Sequence, residues 1–389
     1  MRLLHVAATY LPAVRYGGTI VSVHGLCKAL AARGHDVHVF TTSVDGPADS
    51  AVVHQQPVDV DGVKVWYFRS PSLRRIYWSP TLGAALNAQV AQFDVVHTHA
   101  VFLWPLWAAA RAARRASVPY VVSPRGMLER DLVARRNPLL KALWLAVIER
   151  QNLEHAAAIH VTSEREANEA AAFGFHFRRV CEVPNGVEFD LDGPGPNSVA
   201  PAVSEAAGGK PFVLFLGRVN WKKGLDRLLS ALARLPDQRL IIAGNDDDNY
   251  RPVLERQAER LGVTDRVTYL GAVNHSEKAA LFARAQVMVV PSYSENFGNV
   301  AVEAIAAGVP VICTPEVGVA PAIANGGAGV VAAGTAEQLA GAINTLLSDA
   351  PRRKAMGEAG PPLARDRFAW PVVAAQMETL YQSVAGKHA

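Results

Sequence analysis

The chain has 389 residues, half of them apolar and 19% charged, which is enough for two or three domains with large buried cores. This composition excludes disorder, a collagen, a coiled coil and a small disulfide scaffold. No apolar run approaches the roughly 18 to 20 residues of a membrane span, and the opening MRLLHVAATY lacks the features of a signal peptide. The three cysteines are odd in number and far apart, so we expect buried free thiols in a cytoplasmic protein.

The net charge of +4 is unevenly distributed along the chain. Residues 1–190 hold 20 basic and 16 acidic residues, whereas residues 191–389 hold 19 of each. Within the first half, residues 69–150 hold 12 basic and 4 acidic residues, so this stretch carries the excess. Such a concentration indicates a partner that bears phosphates, either nucleic acid or an anionic membrane surface.

The first half alternates short apolar strands with helices. Strands are predicted at Leu3–Ala8, Val37–Thr41, Val63–Phe68, Val95–Thr98 and Tyr120–Ser123. Helices are predicted between them, from Gly17-Gly18 to about Arg33 and near residues 81–92, 103–116 and 137–153.

The second half repeats the alternation. Its predicted strands are Phe212–Gly217, Leu240–Ala243, Val267–Leu270, Val287–Val290 and Val309–Cys313. Its predicted helices are Gly224–Leu235, Arg251–Leu261, 276–284 and 299–307. The pattern predicts two doubly wound α/β domains with parallel sheets, joined by a linker rich in Gly, Pro and Ser at 192–210. Two such domains would place a ligand cleft at the carboxyl ends of their strands.

A basic motif, LGRVNWKKGLD, joins a strand to a helix in the second half. Arg218 ends the strand, and Lys223-Gly224 begins the next helix. Two fixed cations beside the N-terminus of a helix suit a diphosphate. The alternative is a basic loop on the surface.

A second motif, PSYSENFGNVAVEAIAAGVPVI, contains two glutamates. Glu295 is predicted on the loop that follows a strand, and Glu303 in the second turn of the next helix. A carboxylate accepts two hydrogen bonds from vicinal sugar hydroxyls, and the N–H groups of residues 298–300 would face a phosphate. The alternative is a helix that is capped by one acid and exposes the other.

The first half offers weaker candidates. Gly17-Gly18 would let the backbone approach a phosphate, although the spacing is not that of a dinucleotide-binding or P-loop motif. His97 and His99 share one face of a strand, but no third metal ligand is apparent, so His99 either bonds a sugar or is structural. Arg125 follows the next strand, where it either meets a phosphate or lies on the surface.

Two further patterns have competing interpretations. The aspartates of AGNDDDNY, residues 246–248, resemble a D-x-D metal site, but a solvated loop is favoured and no metal is expected. Residues 73–78, 101–115 and 132–150 interleave Arg and Lys with Trp, Tyr and Leu. This pattern suits the headgroup layer of a membrane, the alternative being ordinary helix packing, and no stacking signature supports nucleic acid.

Several of these motifs together resemble a known family. GRVNWKKG, the E-N-F-G segment between Glu295 and Glu303, and EAIAAGVPVI are similar to the retaining glycosyltransferases of family 4, which have the GT-B architecture. Gly17-Gly18, SPRGML and VPNGVE support the resemblance in the first half. It implies two Rossmann-like domains facing a central cleft. The ranges implied are an acceptor-binding domain at 1–190 with a helix at 371–389 crossing back, a linker at 191–210 and a donor-binding domain at 211–370.

The resemblance also implies residue roles. Arg218 and Lys223 would neutralise the donor diphosphate, which Gly17 and Gly18 would also meet, and Glu303 would hold the ribose hydroxyls. Glu295 would hold the transferred sugar together with the backbone of Asn296, Phe297, Gly298, Asn299 and Val300. Many relatives carry a histidine after the strand that here ends in Ser123, whereas this chain has Arg125 there. Either Arg125 or His99 would take the role of that histidine.

We therefore expect a retaining, metal-independent transferase without a cofactor. It would move a sugar from a UDP- or GDP-sugar to a hydroxyl of a glycan acceptor. The basic segment favours a lipid-linked acceptor, an anionic membrane surface as partner and no nucleic acid. The enzyme would then lie at the inner face of a plasma membrane and serve surface polysaccharide synthesis, and the resemblance alone implies that this membrane is bacterial. The alternatives are a soluble small-molecule acceptor and a nucleotide-sugar epimerase of similar fold. An oxidoreductase is disfavoured by the missing dinucleotide fingerprint.

Overall fold

The chain forms two compact units. The computed structural model describes residues 1–13, 17–130, 138–189, 203, 205, 208, 210–246 and 248–386. One unit consists of Met1–Gly186 and Trp370–Ala389, and the other of Val187–Ala369. Most of the predicted linker at 191–210 lies outside the described residues. The chain thus leaves the first unit after Gly186 and returns to it at Trp370.

The first unit is built on an eight-stranded sheet. Its strands are β1 (Arg2–Ala7), β2 (Asp36–Thr42), β5 (Pro57–Val60), β6 (Val63–Phe68), β7 (Val95–His99), β8 (Tyr120–Ser123), β9 (Ala158–Val161) and β10 (Val180–Glu182), and a small separate hairpin contains β3 (Val44–Asp45) and β4 (Ala48–Asp49). The order in the sheet is β10-β9-β8-β7-β1-β2-β6-β5. Neighbouring strands are parallel except β5, which pairs antiparallel with β6 at the edge. The carboxyl ends of β1, β7 and β8 therefore meet at one edge of the sheet.

Helices cover both faces of this sheet. They are α1 (Gly18–Ala32), α2 (Pro80–Gln89), α3 (Trp104–Arg115), α4 (Pro138–Trp144), α5 (Arg150–His155), α6 (Glu164–Ala171) and the C-terminal helix (Trp370–Val384), with a π-helical turn, Leu145–Glu149, between α4 and α5. Two of them begin at serines whose hydroxyls accept a backbone N–H: Ser79 from Leu82 and Ser163 from Glu166. The C-terminal helix buries Val373, Met377 and Tyr381 in the same hydrophobic core as α1.

The second unit has a six-stranded parallel sheet of order β13-β12-β11-β14-β15-β16. The strands are β11 (Phe212–Leu216), β12 (Leu240–Ala243), β13 (Val267–Gly271), β14 (Ala285–Val290), β15 (Val311–Cys313) and β16 (Gly329–Val331). The helices are α7 (Leu225–Leu232), α8 (Arg251–Leu261), α9 (His275–Arg284), α10 (Asn299–Ala306), α11 (Ala320–Asn325), α12 (Ala336–Ser348) and α13 (Ala350–Phe368). The order of strands changes direction beside β11, so the loops after β11 and β14 lie next to each other.

The predicted α/β class is confirmed in both units. Every predicted strand is present, with ends that agree within two residues. The sequence did not predict β9, β10 and β16, which have three or four residues each, the antiparallel edge strand β5, or the two-residue strands β3 and β4. Cys27 and Cys313 are buried free thiols as expected, whereas Cys181 is half-buried. No helix of the described residues is long and apolar enough to cross a membrane.

Candidate functional site

The loop after β11 carries the first group of predicted residues. Arg218 is exposed and makes no hydrogen bond or ion pair within the described part of the chain. Lys223 ends a short 3-10 turn, Trp221–Lys223, whose start is capped by the side chain of Asn220. The ammonium of Lys223 donates to a carboxylate oxygen of Glu295, and both side chains are about one-fifth exposed. The structure thus brings together two predicted residues that lie 72 positions apart in the sequence.

Glu295 is held by its backbone as well as by Lys223. Its N–H donates to the carbonyl of Glu316 (3.0 Å), and its carbonyl accepts from the N–H of Gly318 (3.0 Å). These bonds fix the loop after β14 against the loop after β15. The Glu295 carboxylate is therefore oriented before any ligand binds.

Gly224 allows the two loops to approach each other. Its φ is +65°, and a Cβ at this position would lie 2.0 Å from the carbonyl oxygen of Pro291 at the end of β14. Any side chain here would separate the Lys223 loop from the Glu295 loop. The glycine that follows Lys223 in the motif is therefore required for steric reasons.

Helix α10 begins directly after Gly298, whose φ is +101°. A Cβ on Gly298 would lie 2.8 Å from a methyl group of Val317. The preceding Phe297 is buried and packs edge-to-face on Phe368, with ring centroids 5.9 Å apart. Because the first N–H groups of a helix have no acceptor within the helix, this start is suited to an anion. Asn296 to Val300 thus surround the beginning of α10, as the sequence predicted.

Glu303 lies in the second turn of α10, as predicted, and has a partner that the sequence analysis missed. The ammonium of Lys278, on α9, donates to a Glu303 carboxylate oxygen at 3.0 Å. Lys278 belongs to no motif and is 25 residues away in sequence. It adds a lysine from α9 to the predicted Arg218 and Lys223.

Asp246 of the D-x-D pattern caps a helix. Its carboxylate accepts hydrogen bonds from the backbone N–H groups of Tyr250 (2.7 Å) and Arg251 (3.0 Å) at the start of α8. Asp248 is exposed, and Asp247 lies outside the described residues. Asp246 and Asp248 thus lie in the loop after β12, as predicted.

In the first unit, Gly17 and Gly18 lie at the start of α1. Gly17 has φ +84° and precedes the first helical residue, Gly18. The 15-residue helix directs its positive end toward this point. Residues 14–16, between β1 and Gly17, lie outside the described residues.

The carboxyl ends of β1, β7, β8 and β9 bring together a buried histidine cluster, consisting of His5, His97, His99 and His160. The sequence analysis found no third metal ligand beside His97 and His99, which the structure corrects. His5, on the neighbouring strand β1, places a ring nitrogen within 4.8 Å of nitrogens of both. Parallel pairing sets His5 directly opposite His97.

A series of hydrogen bonds runs through part of this cluster and determines which ring nitrogen of each histidine carries the proton. Nε2 of His160 donates to the carbonyl of Val183 (2.9 Å), so its Nδ1 accepts from the Ser123 hydroxyl (2.6 Å). Ser123 in turn accepts from Nε2 of His97 (2.6 Å), whose Nδ1 accepts from the Tyr381 hydroxyl (2.6 Å). Both ring nitrogens of His97 and both ring nitrogens of His160 therefore form hydrogen bonds with neutral groups.

A second series of hydrogen bonds starts at Arg125. The guanidinium can only donate, so Nδ1 of His99 accepts from its Nη2 (3.2 Å). Nε2 of His99 then donates to Nδ1 of His5 (2.9 Å), and the proton of His5 resides on Nε2, which is buried and has no partner among the residues that the structure describes. Both ring nitrogens of His97 and of His99 are thus engaged in hydrogen bonds. A metal held by this cluster would have to break them beside a fixed guanidinium, so the residues do not fit a metal site.

Burial and the neighbouring guanidinium keep these histidines neutral. Desolvation, reinforced by Arg125, lowers the pKa of His5 to about 3, and the pKa of His160 likewise falls to about 3. The pKa of His99 lies well below its ordinary value for the same two reasons. Burial also lowers the pKa of Arg125, which Glu166 opposes.

Solved structures identify the class of the fold. Sucrose-phosphate synthase from Thermosynechococcus elongatus superposes with a TM-score of 0.77 at 23% identity, covering 98% of each chain. HepE from Anabaena in complex with UDP-glucose gives 0.75 at 21% identity, covering 98% of this chain and 100% of that one. The protein has the GT-B glycosyltransferase fold.

Sequence comparisons establish the family. A profile described as Glycosyl transferases group 1 matches residues 199–362, and one described as Glycosyl transferase 4-like domain matches residues 17–186. A D-inositol 3-phosphate glycosyltransferase of Mycolicibacterium smegmatis is 33% identical over 82% of this chain and 75% of its own. A protein of the same name from Xylanimonas cellulosilytica is 32% identical over 94% of this chain and 91% of its own. The chain belongs to the group 1, family 4 glycosyltransferases.

Proposed function

We propose that the protein catalyses retaining, metal-independent transfer of a sugar from a nucleotide diphosphate sugar to a hydroxyl group. The observation that carries the proposal is the carboxyl edge of the second sheet. There the exposed Arg218, the Lys223–Glu295 pair and the start of α10 lie on adjacent loops. Negative charge develops on the leaving diphosphate during transfer, and fixed cations with a helix start stabilise it.

The residues divide the donor between them. Arg218 and Lys223 neutralise the diphosphate, and Glu303 accepts hydrogen bonds from the ribose hydroxyls. Glu295 and the backbone of Asn296 to Val300 hold the transferred sugar and its phosphate. The bond between the anomeric carbon and the phosphate oxygen breaks, the acceptor oxygen bonds the same face, and the acceptor proton passes to the departing phosphate. No metal is needed, because the chain itself supplies the positive charge.

Relatives support a UDP-sugar as the first donor to test. One solved neighbour of the same fold is HepE in complex with UDP-glucose. GDP-sugars are the second choice. The nucleotide base would be held by the second unit, which contains Glu303, and the acceptor by the first.

A lipid-linked glycan is the acceptor that we infer first. On the α4 segment and the π-helical turn, Leu139, Leu143 and Val147 are 86%, 61% and 57% exposed. They are spaced by four residues and form one apolar face, and the exposed Arg150 follows Val147 by three residues. Apolar and basic residues on one helix face suit an anionic membrane surface, where lipid-linked acceptors for surface polysaccharides reside.

A soluble phosphorylated acceptor is the second candidate. It is favoured by the relatives named D-inositol 3-phosphate glycosyltransferase, whose acceptor carries a phosphate. An epimerase is the third. A single experiment separates the three: purified protein is incubated with UDP- and GDP-sugars and with a lipid-linked glycan, an inositol phosphate or no acceptor. Glycosylated product identifies the acceptor, whereas epimerised donor without acceptor contradicts the proposal.

A further inference from the structure

Among the described residues, the guanidinium of Arg125 has no carboxylate partner. Nη1 donates to the side-chain oxygen of Asn185 (2.7 Å) and Nη2 to His99 (3.2 Å), and both acceptors are neutral. The residue as a whole is partly buried, whereas its Nε–H is fully buried and makes no hydrogen bond to any residue that the structure describes. Arginine is rarely buried unpaired, because removing its charge from water is costly. An arginine of this kind is typical of a site that binds an anion.

The nearest candidate counter-ion is already engaged. Glu166 raises the pKa of Arg125 through space, but one of its carboxylate oxygens accepts from the N–H of Gly126 (2.7 Å). The other oxygen accepts from the N–H (2.7 Å) and the hydroxyl (2.9 Å) of Thr162. Glu166 therefore holds the loop after β8 in place and leaves the guanidinium unpaired.

The loop geometry and two histidines orient the guanidinium. Arg125 has φ +56° and Gly126 φ +72°, a left-handed pair that turns the chain sharply at the end of β8. For arginine this backbone is strained, which is a feature of functional sites. His99 accepts from Nη2 and is hydrogen-bonded edge to edge with His5, with centroids 5.2 Å apart and ring planes at 8°. His99 and His5 thus fix the Nη2 side of the Arg125 guanidinium.

We propose that Arg125 binds an acidic group of the acceptor, a phosphate monoester or a carboxylate, and that His99 and His5 act through Arg125 as positioning residues. The inference rests on the proposed transferase function. The second unit has its own cations for the donor diphosphate, Arg218 and Lys223, so the partly buried, unpaired Arg125 of the first unit is assigned to the acceptor. A planar guanidinium binds phosphate and carboxylate in a bidentate manner, which lysine does not.

The test is calorimetric titration of the full chain, with UDP present, by glucose 6-phosphate, glucuronate and glucose. The acidic probes are expected to bind about tenfold or more tightly than glucose, as one charge-assisted contact provides. The better acidic probe identifies phosphate or carboxylate as the source. Arg125→Gln should abolish the preference and keep UDP affinity, whereas the exposed Arg115→Gln should change neither.

Two variants of His99 test the positioning role. His99→Gln keeps an oxygen that accepts from Nη2 and should retain the preference for acidic probes. His99→Leu removes the acceptor and should weaken the acidic probes about tenfold, with glucose and UDP unchanged. An equal loss for charged and neutral probes, or no loss in His99→Leu, contradicts the positioning role.

The outcomes distinguish this inference from the function on which it rests. If the wild-type chain fails to bind UDP, the proposed function is wrong. If UDP binds but acidic probes are not preferred, or the preference persists in Arg125→Gln, the acceptor inference alone is wrong.

Discussion

Arg218 and Lys223 have different surroundings in the protein without ligand. Arg218 is exposed and has no partner among the described residues, whereas Lys223 is bonded to Glu295. In the proposed reaction both stabilise the leaving diphosphate. Lys223 therefore has a carboxylate partner before the diphosphate binds, whereas Arg218 has none among the described residues.

Arg218→Ala and Lys223→Ala should each lower kcat about a hundredfold, since each removes roughly 3 kcal/mol of transition-state stabilisation. Initial rates with a UDP-sugar and the identified acceptor provide the measurement. The exposed Arg256→Ala, on α8, serves as the matched control and should be unaffected. Wild-type rates in both site variants would remove these residues from the mechanism.

Glu303→Gln should act mainly on donor binding. The change removes a charged acceptor for the ribose hydroxyls and leaves the Lys278 ammonium without its carboxylate. The KM for the donor should rise about tenfold while kcat changes less. A lower kcat with an unchanged donor KM would show that Glu303 acts on the transition state instead.

The sequence predicted these residues where they belong to a local motif. Glu295, Glu303 and Lys223 follow strands that alternation located, so their place at one sheet edge could be anticipated. His5 and Lys278 could not, because each is a single residue in an ordinary strand or helix. Their relevance arises from strand order and side-chain direction, which depend on pairing between distant segments.

At the scale of elements, tight backbone contacts hold the two loops of the second unit together. Gly224→Ala should lower the free energy of unfolding by about 1–3 kcal/mol, because its Cβ would meet the Pro291 carbonyl at 2.0 Å. Thermal or urea unfolding checks this. Gly341→Ala is the matched control: this glycine lies within α12, a Cβ added there would meet nothing within 4 Å among the described residues, and the change should stabilise by about 0.5–1 kcal/mol. Equal effects of the two substitutions would contradict the steric account.

The histidine cluster should make stability depend on pH. The pKa of His5 is about 3 in the folded protein against 6.5 without burial, so between these values the unfolded state binds more protons. Stability is therefore complete above pH 6.5 and falls as the pH decreases toward 3. For each such histidine, the loss between pH 7 and 5 should be about 2 kcal/mol.

Urea unfolding at pH 7 and 5 measures this loss. His5→Phe should show a smaller pH dependence than the wild type, whereas the exposed His155→Gln should match the wild type. If His5→Phe retained the full pH dependence, His5 would not contribute as described.

Short strands limited the prediction of elements. β9, β10 and β16 have three or four residues, and β10 and β16 are partly exposed, so no run of buried apolar residues marks those two. They form because neighbouring strands supply partners, as Ile159 and Val161 do for Val180 and Glu182. Other short strands, β8, β12 and β15, were predictable because their residues are buried and mostly apolar.

At the scale of the whole molecule, the basic stretch at 69–150 and the apolar face of Leu139, Leu143 and Val147 belong to the first unit. If this surface binds anionic membranes, the protein should sediment with anionic vesicles at low salt and be released at high salt. Leu143→Ser with Val147→Ser should reduce sedimentation, whereas Val253→Ser, an exposed valine of the second unit, should not. Absence from the anionic vesicle pellet at low salt would favour a soluble acceptor.

The central claim is metal-independent transfer with retention. The most direct measurement follows the anomeric proton by NMR while the protein transfers sugar from an α-linked UDP-sugar to the identified acceptor in the presence of EDTA. The account predicts an α-linked product formed at the same rate with and without EDTA. A β-linked product, or turnover that EDTA abolishes and Mg²⁺ restores, would contradict it.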